Sequence, residues 1–213
     1  MSARLATLLL SLVVVIGFAT LPPATAASAP DDPAAAVVSR LGSDPVLRGT
    51  FTQSRQIQGF KRPVVSSGEF AVARDGGILW HTKVPFDSTL AVTPDRLRVV
   101  DARQQTEVDL DARREPMLRT LNGLLQSVVV GDVASLRQQF EVDIRLEGGD
   151  AWEIALVPRD AVLKNRFTAI RMTGAAYVRE VRLTEKSGDV TTVTLANQKG
   201  DARLTDDEAK QLQ

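Results

Sequence analysis

The sequence contains no cysteine and a single histidine, His81, among its 213 residues. The missing cysteine excludes disulfides, thiol catalysis and the lipid attachment that bacterial lipoproteins make through a cysteine of their own. One imidazole without a thiol leaves few zinc ligands, and a serine-histidine-aspartate triad would depend on His81 alone. An enzyme would need a carboxylate or hydroxyl site that no pattern marks. We therefore predict an unlipidated protein that is not an enzyme, with no catalytic residues, metal or other cofactor.

The chain also has no excess of positive or negative charge and few aromatic residues. Lysine and arginine number 26 against 26 aspartates and glutamates, and aromatic residues make up 5% of the chain. The absence of basic clusters argues against nucleic acid or another polyanion as partner. Few aromatic residues fit poorly with a sugar-binding groove. The composition therefore favours an apolar ligand.

The one long hydrophobic run lies at the N-terminus. Arg4 precedes the apolar run Leu5–Leu21, and an Ala-Thr-Ala triplet ends at Ala26. These are the charged, apolar and small-residue parts of a secretory signal, although the run is near the lower length limit for a membrane anchor. We predict a signal peptide over 1–26, cleavage near Ala26, export to the periplasm and a single domain over 27–213.

Period-two alternation dominates the rest of the chain, and turn residues separate the alternating runs. A short helix is predicted to open the domain, because Asp32 and Pro33 form a helix start signal. The predicted strands are Thr50–Arg55, Gly68–Ala73, Ile78–Thr82, Ser88–Val92, Arg96–Val100, Thr106–Leu110, Glu141–Leu146, Ala151–Val157, Phe167–Met172, Val178–Thr184 and Val190–Asn197.

Two helices are predicted between the sixth and seventh strands. Apolar residues recur at helical spacing over Glu115–Val129, and Asp132 is the predicted cap of a second helix that carries Val133, Leu136 and Phe140 on one face. A sheet of about eleven strands curls rather than staying flat. We predict a mainly β (α+β) fold, a half-open antiparallel β-barrel with a lid of short α-helices.

An ordered set of residues runs through the first three strands. It consists of Phe51-Thr52-Gln53, Ser67-Gly68-Glu69-Phe70, Arg74, Leu79-Trp80-His81 and Pro85. This set resembles the N-terminal half of LolA-type outer-membrane lipoprotein carriers, whose pattern is a Phe-Thr-Gln strand, a Gly-x-Leu/Phe strand, an arginine, then tryptophan and proline. Weaker similarity covers nearly the whole mature chain.

The resemblance implies a half-open barrel with a helical lid over a hydrophobic cavity. It implies a periplasmic chaperone that shields the acyl chains of lipoproteins and ferries them from an inner-membrane transporter or exporter to an outer-membrane receptor. We expect a monomer with lipoproteins or other acylated lipids as cargo. The family's arginine that matches Arg74 bonds backbone carbonyls of the lid and holds the empty carrier shut, so the resemblance implies lid gating by Arg74.

The cavity itself is a hypothesis about side chains on the inner face of the sheet and on the lid. The predicted lining is Phe70, Trp80, Phe86, Leu90, Leu97, Val99, Leu118, Leu121 and Leu125. Residue by residue, each of these side chains is equally compatible with an ordinary core. Only the whole set favours a cavity.

Two departures from the family pattern keep other functions open. Asp75 replaces the proline that usually follows the arginine, and the chain ends in a charged, helical or frayed tail over Leu204–Gln213 where better-known carriers continue into strand structure. The alternatives are a LolA-like carrier of another acylated or polyketide lipid, and a periplasmic scaffold with a solid core and no ligand.

Overall fold

The structure is a computed structural model that describes residues 32–74, 77–103, 105–111 and 133–213. Eleven strands in this part form one antiparallel sheet, which confirms the predicted mainly β class. The strands are β1 Val46–Gln56, β2 Val64–Ala73, β3 Gly77–Val84, β4 Ser88–Val92, β5 Arg96–Asp101, β6 Thr106–Asp111, β7 Phe140–Leu146, β8 Trp152–Pro158, β9 Phe167–Gly174, β10 Val178–Glu185 and β11 Val190–Asp201.

Consecutive strands of the chain are neighbours in the sheet, except for β6 and β7, which lie at its two ends. The order is β6-β5-β4-β3-β2-β1-β11-β10-β9-β8-β7, so the first and last strands pair at the centre. β1 pairs with β11 from Val46 opposite Asp201 to Gln56 opposite Val190, with a register shift between Arg48 and Thr50. The strands of the outer positions, β6 and β7, are the free ends of this order.

The sheet is curled, because side chains from distant strands share one core. Leu97 of β5, Trp80 of β3 and Ile154 of β8 belong to the same cluster of buried residues, together with Phe140 at the start of β7. Strands so far apart in the sheet order meet only when the sheet bends round on itself. The fold is therefore the predicted half-open barrel.

Four short helices accompany the sheet in the described ranges. They are α1 Pro33–Arg40, α2 Val133–Gln139, α3 Ala161–Lys164 and α4 Asp206–Gln211. The sequence signals predicted the first two and left the fourth as a helical or frayed tail, whereas α3 was not predicted. Phe140, which was predicted on the face of the second helix, instead opens β7, where it pairs with Pro158. No helix in this part of the chain has the length and apolarity needed to cross a bilayer.

Helix α1 begins where the sequence predicts. The carboxylate of Asp32 accepts a hydrogen bond from the backbone N–H of Ala34 at 3.1 Å, and Pro33 occupies the first turn. Its apolar side packs on the barrel through the buried Ala34 and Val37. At its end, the guanidinium of Arg40 donates to the carbonyl of Ala151 at 2.6 Å, which joins α1 to the turn between β7 and β8.

Helix α4 packs on the outside of the sheet rather than fraying. A capping box forms at its start, with Thr205 and Glu208 bonding each other's backbone N–H groups. At its end, Leu212 packs on an outer cluster of Ala71, Leu79 and Ala91. The sequence did not reveal this docking, because the outer apolar cluster is assembled from three different strands.

An arginine of β1 holds α4 in place. Arg48 donates from Nε to Oε1 of Glu208 at 2.8 Å and from Nη2 to its Oε2 at 2.5 Å. These hydrogen bonds are the main cause that lowers the pKa of Glu208 below its ordinary value. The same guanidinium contacts Asp201 at 2.9 Å and the carbonyl of Arg203 at 3.1 Å.

We expect the contribution of this contact to stability to depend on pH. Because the folded-state pKa of Glu208 is depressed, its contribution is present above the ordinary carboxylate pKa and is lost as the pH falls through the folded value. Glu208→Gln should therefore lower the free energy of unfolding by about 1 kcal/mol near neutral pH, with a smaller difference from wild type at about pH 3. Urea unfolding across this range measures the difference, and a gap that widens in acid would contradict the assignment.

Candidate functional site

The inner face of the first sheet half is continuously apolar. Phe70, Trp80, Leu90, Leu97 and Val99 all lie in the single inner core cluster, and none is more than 3% exposed. They come from four neighbouring strands, β2 to β5, and period-two alternation points them all to one side. The structure thus brings together five of the predicted lining residues on one concave surface.

Aromatic stacking organises the centre of this face. The rings of Phe51 and Trp80 are stacked with centroids 3.8 Å apart, and Phe70 lies 6.1 Å from Trp80 on a nearly parallel plane. Gly49 makes room for Phe70, since a Cβ at that position would stand 2.7 Å from its ring. Phe51 was missed as a lining residue, although its place in the Phe-Thr-Gln strand puts it two positions from the inward-facing Gln53.

Phe86 does not belong to this face, and its prediction as a lining residue is wrong. Its side chain is 80% exposed. It lies in the turn between β3 and β4, after a cis Val84–Pro85 peptide bond. The alternation that orients strand residues does not extend through a turn, which is why the pattern misplaced it.

Several predicted site residues fall outside the part of the chain that the structure describes. They are the lid residues Leu118, Leu121 and Leu125. Asp75, the departure from the family pattern that follows Arg74, also lies outside the described part. The lid lining therefore stays a prediction.

Arg74 lies at the end of β2 and reaches a backbone carbonyl. Its Nη2 donates to the carbonyl of Gly42 at 3.2 Å, and its own backbone N–H donates to the carbonyl of Pro45 at 3.0 Å. Both acceptors belong to the segment that links α1 to β1. The guanidinium is partly buried, so it fastens this entry segment to the end of the β2 strand.

A polar and charged cluster bounds the apolar face at one end of the barrel. Gln53 and Thr191, both buried, follow the aromatic centre along β1 and β11. Beyond them Arg55 contacts Glu185 at 3.0 Å and Asp189 at 2.8 Å, and Arg166 contacts Glu185 at 3.3 Å.

Both carboxylates of this cluster are buried. Glu185 is 4% exposed, and Asp189 also accepts the backbone N–H of Gln58 at 3.0 Å. The hydrogen bond from Arg55 is the first cause that lowers the pKa of Asp189, and the Gln58 N–H adds to it. Two arginines and two carboxylates form a balanced ionic end wall, at which the apolar inner face ends.

His81 lies on the opposite side of β3 from Trp80. Its side chain is 38% exposed, and its Nε2 lies 3.2 Å from a carboxylate oxygen of Asp87. Within the described ranges no group of histidine and acidic residues is arranged to hold a metal ion. His81 therefore occupies the outer, half-exposed side of the sheet.

A curled, open sheet with an apolar concave face defines a binding module for apolar ligands or segments. The chain belongs to the family of the outer membrane lipoprotein carrier protein LolA, whose family model matches residues 45–210. This is a family of carriers, and the match confirms the resemblance found in the strand motifs. The comparison with curated proteins found no match.

Solved structures resemble the chain at low sequence identity. A DUF1329 family protein from Desulfovibrio piger is 10% identical, with a TM-score of 0.48 over 85% of this chain and 98% of that one. A LolA superfamily protein from Nitrosomonas europaea is 9% identical, with a TM-score of 0.42 over 83% and 94%. The Pseudomonas aeruginosa MucA/MucB complex is 16% identical, with a TM-score of 0.48 over 84% and 60%.

Proposed function

We propose that this protein is a periplasmic carrier that shields the acyl chains of lipoproteins and ferries them from the inner to the outer membrane. The observation that carries the proposal is the continuous apolar inner face of Phe51, Phe70, Trp80, Leu90 and Leu97 in a sheet whose outer strands do not pair with each other. Membership of the lipoprotein carrier family supports it. The donor is an inner-membrane transporter or exporter, and the acceptor is an outer-membrane receptor.

Carrying requires binding that remains reversible. Burying an acyl chain of about fifteen methylenes gains roughly 12 kcal/mol at most, at ~0.8 kcal/mol for each methylene. A carrier that holds such cargo must have a state in which its apolar face is satisfied without it, so that loading costs energy. The stacked Phe51 and Trp80 rings and their buried neighbours supply such contacts, which cargo would have to displace.

We assign to Arg74 the role of stabilising the closed, empty state of the carrier. Its guanidinium bonds the Gly42 carbonyl of the entry segment. In the proposed cycle the same guanidinium also bonds the lid, as the family resemblance implies, and so fastens the closed state that cargo has to open. The predicted lid leucines Leu118, Leu121 and Leu125 would cover the same face. Export through the predicted signal peptide over 1–26 would deliver the carrier to the compartment between the two membranes.

The cargo is identified by native mass spectrometry and lipid extraction of the mature protein, purified from its own periplasm. A co-purified lipoprotein is the expected result. If a free acylated or polyketide lipid co-purifies instead, the cargo is that lipid and not a lipoprotein. Protein that is always empty and also fails to bind a hydrophobic dye would overturn the carrier function. The remaining hypothesis would then be the periplasmic scaffold without a ligand.

Removing the Arg74 side chain should tighten cargo binding. Arg74→Leu removes the guanidinium to which the proposal assigns the closed lid, and one charged hydrogen bond contributes about 1.5–3 kcal/mol. Opening then costs less, so the affinity for a fluorescent acyl probe should rise by about tenfold or more. Equilibrium titration of the purified protein measures this change.

Arg40 provides the matched control for Arg74. It also donates to a backbone carbonyl, that of Ala151, but on the other side of α1. Arg40→Leu should lower the melting temperature without changing probe affinity. If Arg74→Leu behaves in the same way, Arg74 has a structural role only and the gating proposal fails.

A further inference from the structure

Apolar side chains are exposed together at one end of the barrel. Phe60 is 65% exposed and Phe86 80%, and the exposed valines Val64, Val65 and Val84 accompany them. We call the surface formed by Phe60–Val65 and Lys83–Phe86 the apolar tip. Every residue in these two segments is exposed, so the apolar tip projects beyond the folded core.

Strand register places the two segments at the same end. β2 pairs antiparallel with β3, and their last pair is Ser67 opposite Val84. From that pair the chain runs back through Val65 to Phe60 on one strand and onward to Phe86 on the other. Both segments therefore continue past the sheet in the same direction.

The β1–β2 hairpin presents its phenylalanine on an ordered turn. The backbone N–H of Phe60 donates to the carbonyl of Ile57 at 3.1 Å, and the side chain of Gln56 donates to the carbonyl of Phe60 at 2.6 Å. Gly59 has a φ of 86°, and nothing lies within 4 Å of where its Cβ would be. The hairpin is thus held in shape by its own hydrogen bonds while its outer side faces open space.

Positive charge flanks Phe60, whereas the exposed Asp87 follows Phe86 and lies 3.2 Å from His81. Lys61 and Arg62 directly follow Phe60, both are exposed, and neither makes an ion pair with any residue that the structure describes. Lys83, next to Val84, is paired with Glu69 at 2.5 Å. Since the whole chain has equal numbers of acidic and basic residues, the two cations beside the exposed Phe60 are a local feature rather than a general basic character.

We propose that the apolar tip docks the protein on an anionic lipid surface, with Phe60 and Phe86 inserted at the headgroup level and with Lys61 and Arg62 on the lipid phosphates. Protruding aromatic side chains flanked by cations match the two layers of a bilayer surface, apolar below and negatively charged above. The two segments are exposed along their whole length and continue past the last β2–β3 pair, whereas an apolar ligand site is usually a concave pocket. This docking goes beyond the carrier function and does not depend on which cargo fills the barrel.

The apolar part of the inference is tested by flotation of the purified protein with vesicles. Wild-type protein should float with vesicles of phosphatidylcholine mixed with phosphatidylglycerol, and only weakly with phosphatidylcholine alone. Phe60→Ser with Phe86→Ser should weaken binding by about tenfold or more, because each phenylalanine contributes its burial. The matched control is Leu146→Ser with Val157→Ser, which removes exposed apolar groups elsewhere on the sheet and should leave binding unchanged.

The electrostatic part needs its own pair of variants. Lys61→Glu with Arg62→Glu should weaken binding to the anionic vesicles by about fivefold or more per residue. Each lysine or arginine near an anionic lipid surface raises the affinity by about this factor. Arg179→Glu with Arg203→Glu makes the same charge change at the opposite end of the barrel and should have little effect.

Three results would overturn the docking. These are wild-type protein that does not float with anionic vesicles, tip variants that float like wild type, and control variants that lose as much binding as the tip variants. Extraction of single lipids into the barrel would not produce flotation. Loss of docking is therefore distinguishable from loss of cargo binding, which the acyl-probe titration measures separately.

Discussion

Arg55→Met is expected to lower the free energy of unfolding by about 3–5 kcal/mol. Arg55 is the shared partner of two buried carboxylates, at 3.0 Å from Glu185 and 2.8 Å from Asp189. Methionine keeps most of the side-chain volume, so the loss reports on charge rather than on a cavity. Removing the guanidinium leaves both carboxylates in a poorly solvated end wall with Arg166 as the remaining cation, and uncompensated buried charge is strongly destabilising. Urea unfolding at neutral pH measures the change.

The effect should shrink in acid. The hydrogen bond from Arg55 lowers the pKa of Asp189, so this part of the stability exists above the ordinary carboxylate pKa and disappears as the pH falls through the folded value. Wild type should therefore lose stability faster than Arg55→Met as the pH is lowered towards about 3. Parallel curves for the two proteins would show that the pair does not set the acid sensitivity.

A surface ion pair on the same sheet provides the control. Arg171 lies 3.2 Å from Glu153, but its side chain is 56% exposed. Arg171→Met should cost less than about 1 kcal/mol, because water already solvates that guanidinium. The double variant Arg55→Met with Glu185→Leu should recover part of the stability lost in Arg55→Met. Leucine at position 185 removes one of the two buried carboxylates that Arg55→Met leaves uncompensated. A double variant as unstable as the single one would contradict this account.

Local pattern predicted the strands well because each strand is half-buried. In β10, Val181 and Leu183 are buried while Arg182 between them is exposed, and this alternation is visible in the sequence. The helix start at Asp32 was also predicted, because a helix cap depends only on residues close to it in the sequence. A single sheet of eleven strands, most of them joined by short turns, then has to curl to bury its apolar side.

Features that depend on distant parts of the chain were not predicted. The ionic end wall joins Arg55 to Glu185 and Asp189, which are more than a hundred residues away in sequence but adjacent through the β1–β11 pairing. The docking of Leu212 on the outer cluster has the same origin. Phe86 was misplaced because a turn interrupts the alternation, and the same turn makes it part of the apolar tip.

Trp80→Ala is expected to have an effect on stability comparable to that of Arg55→Met. Trp80 is 1% exposed and lies between Phe51 and Phe70, so truncating it removes a large buried ring and leaves a cavity. Such changes cost about 3–5 kcal/mol. Chemical denaturation measures this loss, and a cost below about 1 kcal/mol would show that the inner face collapses readily around the gap.

His81, the residue after Trp80, tests whether the loss of stability in Trp80→Ala is specific to the inner face of the sheet. His81→Ala removes a half-exposed side chain from the outer side of the same strand and should change stability by less than about 0.5 kcal/mol. In the carrier proposal the cavity created by Trp80→Ala should also admit acyl probes more readily, because the aromatic contacts that oppose loading are weakened. His81→Ala should load and release cargo like wild type. Equal probe affinity in all three proteins would mean that Trp80 is core alone, and that cargo binds on another surface.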